Sequence, residues 1–219
     1  MVDKYLVKDF VSEKIGAEYV IPTINVWDRF DQIDFNSLPE SFVLKCTHDS
    51  GGVYICKEMT KIDYDLLKIA ITNCLKTNYC WNCREWPYKN VKPRIIAESY
   101  LKNGNDEDLT DYKFYCFNGN PKYCQVIANR STNEIIDFFN MNWEHKPFTG
   151  FGIPNRTFSK NNIEKPFSFE IMKHFSRTLS GEIPFVRVDF YEINQHPYFG
   201  EITFYPASGF GTFEPDNWN

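Results

Sequence analysis

The 219-residue chain is 42% hydrophobic and 24% charged, the balance of a globular protein with a real core and not of a disordered chain. Its formal net charge of -5 argues against a nucleic-acid or anionic-membrane partner held by bulk charge. No apolar run approaches the length of a membrane span, and Met1 to Phe10 lacks the apolar core of a signal peptide, so a cytoplasmic protein is expected.

In chain order, residues 3–15 predict a short amphipathic helix, and Tyr19 to Ile24, with Pro22 inside it, a strand. Strands follow at Phe42 to Cys46 and Val53 to Cys56, separated by a polar glycine turn. From Asp63 a helix is predicted, with Leu67, Ala70, Ile71, Cys74 and Leu75 at helical spacing and an aspartate at its start. Arg94 to Tyr100, Tyr112 to Phe117 and Tyr123 to Ala128 read as strands, the last two joined across Asn118-Gly119-Asn120-Pro121. "KPFSFEIMKHFSRTLS" predicts a helix with Pro166 in its first turn and Met172, Phe175 and Leu179 on one face. Strands and helices mix without strict alternation, which points to an α+β fold with antiparallel sheets.

The seven cysteines are an odd number, and most stand singly among apolar residues, as reduced core thiols do. Cys80-Trp81-Asn82-Cys83 is a lone CxxC without the second pair that a zinc site would need.

"FVRVDFYEINQHPYFGEITF", residues 185–204, alternates as a hairpin. A turn centred on Gln195 sets Asp189 opposite Glu201 and Arg187 opposite Thr203. Opposed side chains in an antiparallel pair lie about 4.5 to 5.5 Å apart at Cβ, where two carboxylates repel unless something compensates. One compensation is a shared divalent cation, magnesium being the natural candidate, with phosphate oxygens completing its shell. The other is Arg187 neutralising both carboxylates in a surface ion-pair cluster, and the spacing admits either. If the carboxylates hold a metal, Asp189→Asn and Glu201→Gln should each abolish magnesium-dependent turnover while leaving the fold intact.

Lys45 ends an apolar strand just before Ser50, Gly51 and Gly52, a loop type that can lay backbone N–H groups over phosphates, although a plain glycine hairpin has the same appearance. The order of residues is not that of a Walker loop. Glu98 ends the strand "RIIAES", where a hinge could hydrogen-bond a base, and Asp111 and Lys113 share a face of the next strand. Asp63-Tyr64-Asp65 spells the DxD of many glycosyltransferases, yet it sits at a predicted helix start, where aspartates serve as caps. "WNCREWPYKN" offers aromatic surface that could stack on a sugar or pack as a corner.

The joint order of "IDFNSLPESFVLKCTHDSGG", "EWPYKNVKPRIIAES", "LTDYKFYCFNG", "PFVRVDFY" and "YFGEITFYPASGF" resembles the ATP-grasp superfamily, and within it the TupA-like branch of bacterial surface-polysaccharide gene clusters. The resemblance implies two α+β subdomains with antiparallel sheets clasping ATP between them, with the N-terminal preATP-grasp domain reduced or absent. It divides the chain into a helical lead at 1–22, subdomain A with the glycine loop at 23–96, and subdomain B with the magnesium hairpin at 97–219. By similarity, Lys45 and Lys113 contact ATP phosphates, Ser50, Gly51 and Gly52 cover them, Glu98 belongs to the nucleotide hinge, and Asp111 lies near the ribose. Asp189 and Glu201 hold Mg2+, and Arg187 stabilises the transferring phosphoryl group or the acyl phosphate. Thr203 stands where many members have an asparagine, which leaves one or two magnesium ions open. The implied activity is ATP- and Mg-dependent carboxylate-amine ligation through an acyl phosphate, joining a uronic acid of a capsule or O-antigen glycan to an amino acid or amino alcohol. The implied partners are that carboxylate and amine, with a further subunit of the pathway possible. A glycosyltransferase and a non-catalytic nucleotide-binding assembly protein are the competing readings.

Overall fold

The computed structural model describes residues 1–102, 104, 108–150 and 163–215, with Cys83 described by its backbone alone. The chain forms two compact units, one of residues 1–10 and 21–101, the other of residues 11–20 and 102–219. Helix α1 (Val7–Ile15) is divided between them, and a boundary after residue 96 would fall inside a strand of the first unit. α1 starts four residues later than the sequence pattern implies. The Asp3 carboxylate accepts from the N–H groups of Tyr5 (2.8 Å) and Leu6 (3.1 Å) and holds those residues in a turn.

The sheet of the first unit contains β1 (Thr23–Trp27), β2 (Phe42–Cys46), β3 (Val53–Cys56) and β4 (Ile95–Ser99), all antiparallel in the order β1-β4-β2-β3. The strand expected at Tyr19 to Ile24 lies later, because Pro22 has no N–H for a ladder. Residues 17–19 instead form a 3-10 turn, and regular pairing starts at Thr23. Alternation on β2 turns Phe42, Leu44 and Cys46 to one face, where they pack with Ile95, Ala97 and Cys56 beneath α2 (Tyr64–Lys76). That helix begins where expected. The Asp63 carboxylate caps it by accepting from Leu66 N–H at 3.0 Å, and Leu67 and Ile71 are its buried residues. A short helix α3 (Tyr79–Cys83) follows.

The second unit is built on a six-stranded antiparallel sheet. Its strands are β5 (Asp111–Phe117), β6 (Asn120–Ala128), β7 (Ile135–Asn140), β8 (His145–Lys146), and, after the short β9 (Thr149–Gly150), β10 (Phe185–Ile193) and β11 (His196–Thr203). The order is β11-β10-β5-β6-β7-β8, and β9 pairs separately with β12 (Phe213–Glu214). β7 has no counterpart among the expected strands: "IIDFFN" sets apolar pairs on both sides of an aspartate that is itself buried, so it lacks the alternation that marks a half-exposed strand.

Two tight turns set the register of this sheet. Asn118 and Gly119 join β5 to β6 with φ of 46° and 75°, and Asn194 and Gln195 join β10 to β11 with φ of 52° and 65°. Both have the left-handed pair of residues that a two-residue hairpin requires. At Gly119 a Cβ would also lie 2.2 Å from the Gly181 carbonyl oxygen, so a side chain is excluded twice.

One face of this sheet packs on α4 (Phe169–Ser180), whose Phe169, Met172, Phe175 and Leu179 are buried against Phe114, Phe190 and their neighbours. Pro166 precedes the helix instead of lying in its first turn, and the reason is Glu192 on β10. Its carboxylate accepts from Ser168 N–H at 2.6 Å, from the Ser168 hydroxyl and from Phe167 N–H at 3.3 Å, satisfying the donors that would otherwise be orphaned at the helix start. Glu192→Ala is therefore expected to lower the unfolding free energy by about 1–2 kcal/mol. Urea denaturation of the purified variant checks this, and an unchanged midpoint would remove Glu192 from that role.

Candidate functional site

Within the first unit, β2 and β4 bring Lys45 and Glu98 together. Val43 pairs with Glu98 and Lys45 with Ile96, so the lysine and the glutamate are diagonal neighbours on the face opposite the α2 core. Lys45 Nζ lies 2.6 Å from one Glu98 oxygen and Lys8 Nζ, from α1, 2.5 Å from the other. Lys8 also donates to the Ile21 carbonyl (2.7 Å) and the Thr23 hydroxyl (3.0 Å). Val53 and Ile55 lie on the same face and are half exposed, so the charged triad borders an open apolar strip.

Glu98 is 4% exposed. Burial alone would push its carboxyl up, but Lys45 and Lys8 outweigh burial and hold it below the ordinary carboxylate range. A carboxylate with a depressed folded-state pKa contributes stability that is fully present above the unfolded value and lost as pH falls through the folded one. Urea midpoints measured from pH 7 down to pH 3 should therefore show a steeper acid loss in the wild type than in Glu98→Gln. Superimposable curves would contradict the assignment.

Ser50, Gly51 and Gly52 form the turn between β2 and β3, with φ of 117° at Gly51 and 37° at Gly52. Asp49 anchors the turn: its carboxylate accepts from Ser50 N–H at 2.7 Å and from the Cys74 thiol at 3.2 Å, and Lys4 donates to its carbonyl. A Cβ on Gly52 would meet that carboxylate at 2.8 Å. Beside the turn, His48 is 2% exposed, its Nε2 3.0 Å from the Thr77 carbonyl oxygen.

Within the second unit, the face of the sheet opposite α4 carries the remaining candidates in register. Glu201 pairs with Asp189 and Asp189 with Lys113; Thr203 pairs with Arg187, and Tyr191 with Asp111. The hairpin pairs are those anticipated, through a mechanism that the count did not contain. The turn is centred between Asn194 and Gln195, and a one-residue bulge at Gly200 restores the offset, so that Phe190 pairs with Phe199 while Asp189 still pairs with Glu201. A Cβ at Gly200 would lie 3.2 Å from the Asp189 carbonyl oxygen, which suits the bulge to glycine.

Arg187 is the centre of this cluster. Its Nε donates to Asp189 Oδ1 at 2.7 Å, and its Nη2 lies 2.7 Å from Asp189 Oδ2, 2.7 Å from Glu201 Oε1 and 3.1 Å from the Thr203 hydroxyl. Lys113 Nζ donates to Asp189 Oδ2 at 2.6 Å. Burial works against the guanidinium charge, but Asp189 and Glu201 more than offset it and raise the Arg187 pKa further. Asp189 itself is 1% exposed, whereas the Glu201 side chain is 32% exposed. The neutralising role for Arg187 is thus present, in a buried network instead of a surface one.

The same geometry bears on a metal. Two carboxylates and a hydroxyl converge on a single cationic nitrogen, an all-oxygen set of the hard type that magnesium takes. Among the described residues no group of three or more His, Cys, Asp or Glu side chains is arranged to hold a metal, so further ligands would have to come from phosphate oxygens and water. The donor chemistry fits magnesium.

Two residues of these clusters escape the sequence reading. Arg130 donates to Asp111 Oδ2 through Nε (2.9 Å) and Nη2 (2.5 Å), while Lys113 stands 3.5 Å from Asp111 Oδ1. The pairing of Asp111 with Ile127 in the β5–β6 ladder sets Arg130 just past the aspartate, a signal that strand pairing alone could have supplied. Lys8 gives no such signal, because nothing in a helical pattern indicates a carboxylate ninety residues away. Of the other motifs, Asp63 acts as a helix cap, Cys80 is a buried free thiol, and the side chain of Cys83 lies outside the described residues. Trp81 and Trp86 are 55% and 60% exposed, with Lys89 Nζ 4.2 Å from the Trp86 ring, while Tyr88 is buried edge-on to Tyr79.

Among the described residues no helix is long and apolar enough to cross a membrane. Compared with known families, the chain matches the one described as TupA-like ATPgrasp over residues 1–219. No match is found among curated protein sequences. Among solved structures it is similar to D-alanine--D-alanine ligase from Bacillus anthracis, at 15% identity and a TM-score of 0.51 over 93% of this chain and 56% of that one. It is similar also to a biotin carboxylase ATP-analogue complex from Campylobacter jejuni, at 12% identity and a TM-score of 0.54 over 95% of this chain and 42% of that one. A third is N5-carboxyaminoimidazole ribonucleotide synthetase in its ADP complex, at 14% identity and a TM-score of 0.51 over 92% and 44%. The chain spans about half the length of the solved structures it matches.

Proposed function

Because the chain belongs to the TupA-like ATP-grasp family and has the α+β ATP-grasp fold, we propose that it is an ATP- and magnesium-dependent carboxylate-amine ligase. Members of this superfamily are typically ADP-forming ligases. The observation that carries the reading is the convergence of Asp189, Glu201 and Thr203 on one cationic nitrogen beside Lys113. In this reading a carboxylate oxygen of the substrate attacks the γ-phosphorus of ATP, ADP leaves, and an acyl phosphate forms. An amine then attacks the acyl carbon, phosphate leaves, and an amide remains. The proposed substrates are a uronic acid of a capsule or O-antigen glycan and an amino acid or amino alcohol.

Each residue has a definite task under this proposal. Lys45 and Lys113 contact the ATP phosphates, and the Ser50–Gly52 turn covers them with backbone N–H groups. Glu98, kept ionised by Lys8 and Lys45, belongs to the base-binding hinge, and Asp111 lies near the ribose. Asp189, Glu201 and Thr203 would hold magnesium, which supplies charge neutralisation on the phosphates. Arg187, held beside those carboxylates, would stabilise the transferring phosphoryl group or the acyl phosphate. Catalysis consists of positioning and charge stabilisation, and no covalent protein nucleophile is required.

Two other readings make different predictions. A glycosyltransferase would use the Asp63–Asp65 DxD, but the Asp63 carboxylate caps α2. A non-catalytic nucleotide-binding protein would bind ATP without turnover. The deciding experiment is a calorimetric titration with ATP, with and without magnesium, beside a UDP-sugar, followed by an ADP-release screen of sugar acids with amines. Magnesium-dependent ATP binding and substrate-dependent ADP release are expected. Binding of the UDP-sugar with no ATP binding would overturn the ligase reading, and ATP binding without ADP release for any pair would favour the non-catalytic one.

A further inference from the structure

A cleft of about 460 Å³ opens in the first unit, at the end of the sheet where β1 finishes and β4 begins. Its size is within the usual range for small-ligand sites, about 300–1,000 Å³. Tyr5, Val26, Trp27, Asp28, Gln32, Lys92 and Arg94 line it, none of which has a part in the ligase reading. We propose that this cleft binds a sugar bearing a carboxylate, the substrate class of the ligase reading, on which this assignment rests.

The lining supplies what such a ligand needs. Trp27 is half-buried, rooted in the core cluster behind β1, and gives the flat apolar surface on which a pyranose ring stacks. Gln32 commits its side-chain oxygen to the N–H groups of Asp28 (3.1 Å) and Arg29 (3.0 Å), which leaves the amide nitrogen to donate to hydroxyls. Arg94 and Lys92 are the cations. Their backbone is held by Thr47, which is fully buried: its N–H donates to the Arg94 carbonyl (2.9 Å), its hydroxyl to the Lys92 carbonyl (3.1 Å), and that hydroxyl accepts from Arg94 N–H (3.2 Å). The backbone that carries the two cations is therefore fixed before any ligand arrives.

Their present partners leave them available. Lys92 is paired with Asp28 at 2.8 Å, but the two side chains are 64% and 55% exposed, and such a pair is worth little and exchanges readily. Arg94 stacks on the Tyr5 ring (4.9 Å) and contacts Asp3 through one nitrogen (3.0 Å), while its Nε is buried with no hydrogen-bond partner. The Arg94 guanidinium thus lines the cleft with hydrogen-bonding capacity that its protein partners do not exhaust. A carboxylate between Arg94 and Lys92 would leave the ring to lie against Trp27 and its hydroxyls to meet Gln32 and Asp28.

The test is a calorimetric titration of the whole chain, without ATP, using glucuronate, glucose, acetate and inorganic phosphate. Glucuronate should bind at least tenfold more tightly than the other three. Arg94→Gln should weaken glucuronate at least tenfold and Lys92→Gln at least fivefold. Lys92 is exposed, so its variant keeps the fold even if loss of Arg94 perturbs it. Absence of glucuronate binding, equal binding of glucose or of phosphate, or wild-type affinity in Lys92→Gln would each overturn the proposal. The titration needs no nucleotide or turnover, so its failure is distinguishable from failure of the ligase reading.

Discussion

Glu201→Gln is expected to lower magnesium- and ATP-dependent ADP release by about 100- to 1,000-fold while leaving the protein folded. The side chain is a third exposed, and Arg187 remains held by two bonds to Asp189 when the Glu201 charge is removed. The substitution exchanges one charged acceptor for a neutral one at the edge of the network, so the urea midpoint should move by no more than about 1 kcal/mol in free energy. The measurement is a rate at saturating ATP set beside a denaturation curve. A wild-type rate in the folded variant would take Glu201 out of the metal role.

Asp189→Asn should behave differently, although the hairpin pattern alone treats the two carboxylates as equivalent. Asp189 is 1% exposed and takes two bonds from Arg187 and one from Lys113, all at 2.6–2.7 Å. An asparagine leaves two buried cations with a neutral partner whose amide nitrogen must face one of them. Breaking a buried pair by removing one member costs about 3–5 kcal/mol, so this variant should lose both activity and a large part of its stability. An intact fold is therefore expected of Glu201→Gln but not of Asp189→Asn. Adding Lys113→Met to Asp189→Asn should recover part of the stability and none of the activity, because it removes one of the stranded charges. A double variant no more stable than the single one would show that the Lys113 contact does not carry the loss.

The two clusters explain why a chain tolerates so much buried charge. In the second unit Asp111, Asp189 and Glu201 face Lys113, Arg130 and Arg187, three of each sign on one sheet face. Without ligand the network is neutral, and hydrogen bonds from Arg187 satisfy oxygens that would otherwise be desolvated and unpaired. Under the proposed function a magnesium–polyphosphate ligand brings charges of both signs, so its cation would meet the carboxylates and its phosphates the lysine and arginines. The proposed chemistry and the stability of the site thus rest on the same contacts.

The amino-acid sequence by itself determined the elements that local rules govern. Asp63 announces its helix because a short carboxylate at that position satisfies backbone donors two or three residues on, and Asn118-Gly119 announces its turn because few other residues take two left-handed conformations in succession. Alternation over 185–204 gave the face that carries Arg187, Asp189, Glu201 and Thr203, since period two leaves only two choices. Tertiary structure decided what those rules cannot reach. The bulge at Gly200, the capping of α4 by Glu192, and the pairing of Glu98 with Lys8 each join residues through contacts that only the folded chain creates. The burial that separates Asp189 from Glu201 is likewise a property of the assembled sheet: one carboxylate lies between β5 and β11 on the inner strand β10, while the other lies on the edge strand β11, where water still reaches it.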